Sequence, residues 1–177
     1  MSCLHVVGVG IDRYSDDRIP DLRFARSDAE QWVSLFKESA FARDVRSYLL
    51  LDEEATRVRI MDLLGVRLPL SVDEDDVVIV YFGGHGSPER DVRHDSTARF
   101  LVCHDTDKGS LFSSGMDVVH DLSRVLERIR VRVVLFVLDA CATFDREGPD
   151  GGIPWLIIGR PSIIKPKSQV EKKTVQA

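Results

Sequence analysis

The chain has 177 residues, of which 44% are hydrophobic and 30% charged, a composition that predicts one globular domain with an apolar core. The net charge of −5 argues against nucleic-acid binding, and no apolar run is long enough to span a membrane. Three cysteines without a C-x-x-C pair predict neither a disulfide framework nor a thiolate zinc site, and no signal peptide is recognisable, so we expect a cytoplasmic protein.

The first part of the chain predicts a strand followed by a helix. Residues 4–11 are apolar and contain two glycines, which within a strand indicate close packing. After a polar loop, Ser27 and Glu30 have the spacing of a capping box, so we expect a helix to begin at Ser27. Asp28 falls in its first turn, where a carboxylate ordinarily complements the helix dipole.

The middle of the chain alternates between strand-like and helix-like patterns of apolar residues. We expect a strand at residues 45–51, a helix at 56–64 and a continuous apolar strand at 77–82. This last strand runs into Gly83-Gly84-His85-Gly86, whose glycines allow a tight turn and leave the imidazole of His85 uncovered.

Less regular segments separate this motif from the next strand. Residues 87–98 are polar and predict a long loop, and residues 100–103 form a short apolar segment. Residues 117–130 have apolar side chains at helical spacing and predict a helix.

Residues 133–138 form a second continuous apolar run, typical of a strand buried on both faces. The run ends at Asp139, and Cys141 follows just beyond it. Chemistry in parallel sheets is concentrated outside the carboxyl ends of the strands, so two adjacent strands would bring Cys141 close to His85. A thiol is a good nucleophile as the thiolate, and an imidazole is its usual activator.

The end of the chain predicts a glycine-rich loop, one short strand at residues 155–158 and a lysine-rich tail. Strands that alternate with helices predict an α/β fold with a mostly parallel sheet. We therefore divide the chain into a domain at residues 1–160 and a linker or tail at residues 161–177.

Residue type and spacing leave two functions equally open: a Cys–His hydrolase and a non-catalytic binding domain. A papain-type dyad oriented by asparagine is excluded, because the sequence contains no asparagine. Cys3 and Cys103 are interpreted as small buried residues. A metal site is a weaker alternative, because the candidate ligands lack a recognised spacing: His85, His94, Asp95, His104 and Asp105.

Several segments together resemble the caspase-like peptidases, and most closely their prokaryotic and metacaspase branch. The resemblance extends over about the first 160 residues. It rests on five segments: Val6 to Tyr14, Leu22 to Ala29, Tyr81 to Gly86, Phe100 to Asp107, and Leu138 to Cys141.

The resemblance implies a three-layer, caspase-like α/β sandwich and a cysteine endopeptidase acting on protein substrates. His85 would transfer protons, Cys141 would be the nucleophile, and the backbone N–H groups of Gly86 and Cys141 would bind the oxyanion. Asp28 and Asp139 would line the pocket for the residue before the cleaved bond, P1. Two carboxylates predict that this residue is Arg, or alternatively Lys.

The chain also departs from the family pattern. Gly83 stands where metacaspases commonly have serine, which leaves the choice between Arg and Lys open. No cofactor is expected, although calcium, which many metacaspases need, is an option at acidic residues such as Asp95, Asp105 and Asp107.

The short region after the nucleophile predicts a large, p20-like subunit. Its partner would be a small p10-like subunit, from the same precursor or a second gene. An activating protease or regulator would complete the system, with cleavage in the basic tail as the activation step. Bacterial members of the class often act in cell death or phage defence. The alternative is an inactive caspase-like interaction module.

Overall fold

A computed structural model describes residues 2–38, 44–91, 96–142 and 155–159, with the backbone alone at residues 88–91, 96–98, 141–142 and 155–159. The strands are β1 (Leu4–Gly10), β2 (Val45–Leu51), β3 (Val77–Asp91), β4 (Ser96–Leu101), β5 (Met116–Asp117), β6 (Val133–Ala142) and β7 (Trp155–Gly159). The helices are α1 (Ala25–Glu38), α2 (Arg57–Asp62), α3 (Leu111–Ser114) and α4 (His120–Arg128), with a 3-10 turn at Asp52–Glu54 and a π turn at Leu63–Arg67.

The strands form one mixed sheet. β2, β1, β3 and β6 lie side by side and parallel, whereas β4, β5 and β7 join it through antiparallel pairings. The prediction of an α/β fold is confirmed, but that of a mostly parallel sheet is not, since three of the six described pairings are antiparallel. One antiparallel pairing arises because β3 continues past its glycine motif and pairs with β4, and another because β7 returns along β6.

Helices cover both faces of the sheet, which gives the three layers expected. α2 and α4 pack on one face around the larger core, whose central side chains from the sheet are Val9, Val80, Phe82, Phe136 and Leu138. α1 packs on the other face over a smaller cluster formed by Leu4, Val6, Val33 and Ile79. β1 and residues 78–82 of β3 are buried on both sides, as their continuous apolar runs indicate. In β6 every second side chain is partly exposed, so the prediction of burial on both faces is wrong for residues 133–138, and only Leu50 of β2 is buried.

The glycines of β1 allow α1 to approach closely. A Cβ atom added to Gly10 would lie 2.5 Å from the carbonyl oxygen of Ala25, and one added to Gly8 would lie 2.8 Å from a methyl group of Val33. These distances are shorter than van der Waals contact, so the glycines serve close packing, as the sequence predicts.

The start of α1 differs from the predicted capping box. The helix begins at Ala25, whose N–H donates to the carboxylate of Asp12 at 2.9 Å. Ser27 lies within the helix, and its hydroxyl donates to the carbonyl of Phe24. The capping group therefore comes from a preceding loop and not from the residues next to the helix.

The predicted loop at 87–98 is also corrected, because β3 and β4 occupy most of it. The strand predicted at residues 155–158 is present as β7, paired antiparallel with β6. The tail at 161–177 lies outside the described residues. Within the described part of the chain, no helix is long and apolar enough to cross a membrane.

Candidate active site

The pairing of β3 with β6 brings the two predicted catalytic residues together. His85 lies opposite Cys141, and Gly83 lies opposite Asp139. Paired strands are about 4.8 Å apart, so His85 and Cys141 are backbone neighbours near the carboxyl end of the parallel pairing between β3 and β6. The structure thus places both residues at one site, although the side chain of Cys141 lies outside the described part and their catalytic roles remain predictions.

His85 is oriented by a backbone carbonyl. The prediction of an uncovered imidazole is wrong, because His85 is buried. Its Nε2 lies 2.8 Å from the carbonyl oxygen of Pro20. A carbonyl only accepts hydrogen bonds, so Nε2 carries the proton and Nδ1 of the neutral ring is the atom able to accept one. Burial lowers the pKa of His85 below the usual 6.5, against the opposing effect of the Pro20 bond. The imidazole is therefore neutral at pH 7, the form that a general base requires.

Tyr14 anchors the backbone of His85. Its hydroxyl accepts a hydrogen bond from the N–H of His85 at 3.0 Å and donates to the carbonyl of Ile11 at 3.2 Å. The two rings are also in contact, with centroids 5.2 Å apart. Burial raises the pKa of Tyr14, so the hydroxyl remains protonated and keeps both bonds.

A buried carboxylate holds the loop that carries Tyr14. Asp52 has a left-handed backbone, with φ of 44°, and accepts hydrogen bonds from the N–H groups of Asp12 and Arg13 and from the guanidinium of Arg26. Burial by itself would raise the pKa of Asp52, but these three donors outweigh it and lower the pKa below 3.8. The charge of Asp52 thus fixes the chain just before Tyr14.

The two predicted substrate-binding carboxylates lie near one tyrosine. Asp28 is exposed in the first turn of α1, and Asp139 is exposed near the end of β6. The buried hydroxyl of Tyr81 donates to Oδ2 of Asp139 at 3.2 Å. Burial raises the pKa of Tyr81, and the negative charges of Asp139 and Asp28 raise it further, so both carboxylates act on the same hydroxyl. Their binding role remains a prediction.

The two predicted oxyanion donors occupy adjacent positions of the strand pair. Gly86 lies opposite Ala142 of β6 and Leu101 of β4, one residue beyond the pairing of His85 with Cys141. Both backbone N–H groups therefore belong to the same end of the site, and the proposed oxyanion role is a matter for experiment.

The other two cysteines are poor nucleophiles. Cys3 and Cys103 are free and buried, as expected from the sequence. Burial raises the pKa of both thiols, so both are protonated at neutral pH.

The structure describes some of the metal-ligand candidates named from the sequence. Among the described residues, no three His, Cys, Asp or Glu side chains are grouped so that they could hold a metal ion. The carboxylate of Asp105 accepts a hydrogen bond from the backbone N–H of Arg57, and that of Asp107 accepts one from the guanidinium of Arg18. His94 and Asp95 lie outside the described residues, so the calcium option stays a prediction.

Sequence reasoning missed three residues of this site: Tyr14, Pro20 and Tyr81. Pro20 contributes a main-chain oxygen, which any residue type could supply. Tyr14 and Tyr81 belong to segments that resemble the family, but nothing in their spacing indicates hydrogen bonds to His85 and Asp139.

Comparison with known proteins shows the family to which the chain belongs. The sequence matches the caspase domain family, peptidase C14, over residues 5–175. The chain therefore belongs to the caspase domain family, and the resemblance noted in the sequence is confirmed.

Among solved structures, the chain is similar to the crystal structure of protein GSU0716 from Geobacter sulfurreducens. The TM-score is 0.63 at 19% identity, covering 80% of this chain and 51% of that one. At this identity the likeness shows the fold alone, and the chain spans about half the length of that structure. A search of curated proteins found no match.

Proposed function

We propose that the chain is a cysteine endopeptidase domain in which Cys141 is the nucleophile and His85 transfers protons. The observation that carries the proposal is the register of β3 and β6, which sets His85 opposite Cys141. The hydrogen bond from Nε2 of His85 to Pro20 supports it further, because it gives the imidazole the tautomer of a base.

The proposed reaction begins with transfer of the Cys141 proton to Nδ1 of His85. The thiolate attacks the scissile carbonyl carbon, and the carbonyl oxygen becomes an oxyanion bound by the N–H groups of Gly86 and Cys141. Each such donor typically contributes about 100–1000-fold in rate. The imidazolium then protonates the leaving amine as the peptide bond breaks. Water, deprotonated by His85, hydrolyses the thioester and regenerates the thiol.

We further propose that Asp28 and Asp139 select a basic P1 residue, Arg in preference to Lys. Both carboxylates are exposed, and both influence the hydroxyl of Tyr81. Two carboxylates in one pocket would match the planar donor fork of a guanidinium, whereas an ammonium ion is a point charge. Peptide substrates that differ only at P1 test this assignment, and a preference for an acidic P1 residue would contradict it.

A small p10-like subunit, from the same precursor or a second gene, would complete the proposed enzyme. The chain spans about half of the similar structure, and the family resemblance implies further strands and substrate loops after the nucleophile. We propose a small p10-like partner, with cleavage in the basic segment at residues 163–177 as the activating step. Co-expression with the adjacent reading frame tests this, since activity should then exceed that of the chain alone.

Covalent labelling tests the nucleophile. We expect an arginine-based acyloxymethyl ketone to label the wild-type chain at Cys141, and Cys141→Ala to abolish the labelling. Cys3→Ala is the matched control, because the raised pKa of that buried thiol makes it unreactive, so labelling should persist. His85→Gln should slow labelling by about a hundredfold or more, the usual contribution of a general base.

The same experiment separates an enzyme from an inactive interaction module. A wild-type chain that is folded by circular dichroism but is not labelled, either alone or after co-expression with the proposed small subunit, would contradict the peptidase assignment. Labelling that persists in Cys141→Ala would refute the choice of nucleophile.

A further inference from the structure

We propose that Tyr81 is a positioning residue for basic P1 recognition: it holds the carboxylate of Asp139 in place, and Gly83 leaves it the room to do so. This inference rests on the proposed role of Asp139 and adds two residues to the pocket. Its basis is the contact between Tyr81 and Asp139 and the space around Gly83.

The geometry of the strand pair explains how Tyr81 reaches Asp139. Tyr81 lies opposite Val137, so Asp139 is two positions further along the neighbouring strand. Residues at this diagonal spacing are about 7–8 Å apart, a distance that a tyrosine side chain can bridge. Its hydroxyl donates to Oδ2 of Asp139 at 3.2 Å.

The side chain of Tyr81 passes over Gly83 on its way to Asp139. Gly83 lies opposite Asp139 in the register, and a Cβ atom added to it would lie 3.0 Å from the hydroxyl oxygen of Tyr81 and 3.1 Å from its Cε1. Any side chain at position 83 would therefore displace the hydroxyl by a few tenths of an ångström. The hydrogen bond from Tyr81 to Asp139 therefore depends on the absence of a side chain at Gly83.

Tyr81 is rigid, whereas its acceptor is open to ligands. The ring of Tyr81 is 5% exposed and stacks on Trp32, with centroids 5.2 Å apart and planes 24° apart. Asp139 is exposed, so without this bond its carboxylate would be free to rotate in water. A fixed donor restricts that rotation before substrate arrives, and preorganisation of this kind improves binding without a new contact to the ligand.

The effect should depend on the charge of the P1 side chain. Arginine and citrulline have nearly the same shape, but only arginine is charged. We expect Tyr81→Phe to lower the ratio of kcat/KM for the arginine peptide to that for the citrulline peptide about tenfold, the usual effect of one hydrogen bond to a charged group. The loss should appear mainly in KM, because Asp139 binds the substrate and does not take part in bond breaking.

A double-mutant cycle tests the coupling of the two residues. Gly83→Ala should reduce the same ratio, because the added methyl group displaces the hydroxyl. The two effects should be less than additive in the double variant, since the hydroxyl is then already absent and only the contacts of the added methyl group with Cε1 of the ring and with the carbonyl of Ala25 remain. Tyr48→Phe is the matched control, because Tyr48 lies on β2, which β1 and β3 separate from β6. Thermal unfolding of each variant establishes that it is folded.

A binding assay keeps this inference separate from the peptidase proposal. In the Cys141→Ala background, tryptophan fluorescence gives the dissociation constants of acetyl-arginine amide and acetyl-citrulline amide with and without Tyr81→Phe. A preference for arginine that weakens in Tyr81→Phe supports the inference even if no peptide is cleaved. A preference that Tyr81→Phe leaves unchanged overturns the inference, as does the absence of any preference, even if the chain is an active peptidase.

Discussion

At the residue scale, the site depends on how His85 is held. The ring is fixed through Nε2 by the carbonyl of Pro20, and the backbone is fixed through its N–H by the hydroxyl of Tyr14. Tyr14 is itself fixed, because it donates to Ile11 and lies in a loop that the carboxylate of Asp52 anchors. A proton-transfer group supported in this way loses little freedom when it reacts.

Tyr14→Phe should therefore impair catalysis without leaving a cavity in the core, because phenylalanine keeps the ring. The change removes the acceptor that Tyr14 gives to the buried N–H of His85, which should cost about 1–3 kcal/mol of stability. We expect kcat to fall about tenfold because His85 is less well placed, with KM little changed, as measured by steady-state kinetics and urea unfolding. Tyr48→Phe is again the control. A Tyr14→Phe variant with lower stability and an unchanged kcat would contradict the positioning role.

Acid should inactivate the enzyme through His85. The neutral ring is the base, and burial lowers its pKa below 6.5. Activity should therefore persist as the pH falls to 6.5 and decline only below it, in a profile of kcat/KM against pH. The unfolded chain binds this proton at a higher pH than the folded chain, so stability also decreases between 6.5 and the lowered folded pKa. An acid limb with its midpoint above 6.5 would contradict burial of the base.

The sequence predicts those site residues that directly follow an apolar strand segment. His85 and Cys141 each follow a continuous apolar run, and parallel strands of this kind place their carboxyl ends together. Pro20 could not be predicted, because a carbonyl oxygen has no residue-type signature. Tyr81 could not be predicted either, because its role depends on the register between strands and on the space above Gly83.

At the element scale, the contact between α1 and β1 sets the position of Asp28. Gly8 and Gly10 lie under the helix, and added Cβ atoms would overlap Val33 and the first turn of α1. The helix also receives its cap from Asp12, in the loop that leads to Tyr14. Packing of α1 on the sheet and the geometry of the catalytic loop are therefore linked.

Gly10→Ala should test this contact. The added methyl group would meet the carbonyl of Ala25 at 2.5 Å, so we expect a loss of about 1–3 kcal/mol in the free energy of unfolding, as for other overpacked cores. Gly65→Ala is the matched control, because a Cβ there would have no neighbour within 4 Å. Equal stability of the two variants in urea unfolding would show that the helix can move away at no cost.

The elements that the sequence misassigns are those whose partners are distant. Polar residues at 87–98 predict a loop, but β3 continues there because β4 returns along it. Ser27 predicts a local helix cap, but Asp12 supplies the cap from thirteen positions earlier. The continuous apolar runs of β1 and β3 predicted strands correctly because both faces of these strands are buried, whereas every second side chain of β6 is partly exposed.

At the scale of the whole molecule, the two ends of the parallel strands have different roles. The carboxyl ends carry the candidate site, while at the amino ends a buried carboxylate joins β1 to β3. Asp76 accepts hydrogen bonds from the N–H groups of Cys3 and Asp73 and lies 3.3 Å from Nε2 of His5. Its position far from the site means that its loss should alter stability more than chemistry.

Asp76 should make the fold sensitive to acid. Burial opposes its charge, but the N–H donors of Asp73 and Cys3 and the contact with His5 outweigh burial and lower the pKa of Asp76 below 3.8. A carboxylate with a lowered folded pKa gives stability that is complete above pH 3.8 and is lost as the pH falls through the folded value.

Asp76→Asn should therefore cost about 1–3 kcal/mol at pH 7, because a buried charged acceptor is removed, and should flatten the loss of stability below pH 3.8. Urea unfolding at pH 7, 5 and 3 measures both effects, with Glu74→Gln, an exposed acid in the same turn, as the control. Labelling of Cys141 at pH 7 should be unchanged in Asp76→Asn, since the change lies at the opposite end of the strands. If the variant is as stable as the wild type at pH 7 and unfolds with the same acid dependence, the carboxylate of Asp76 does not hold β1 to β3.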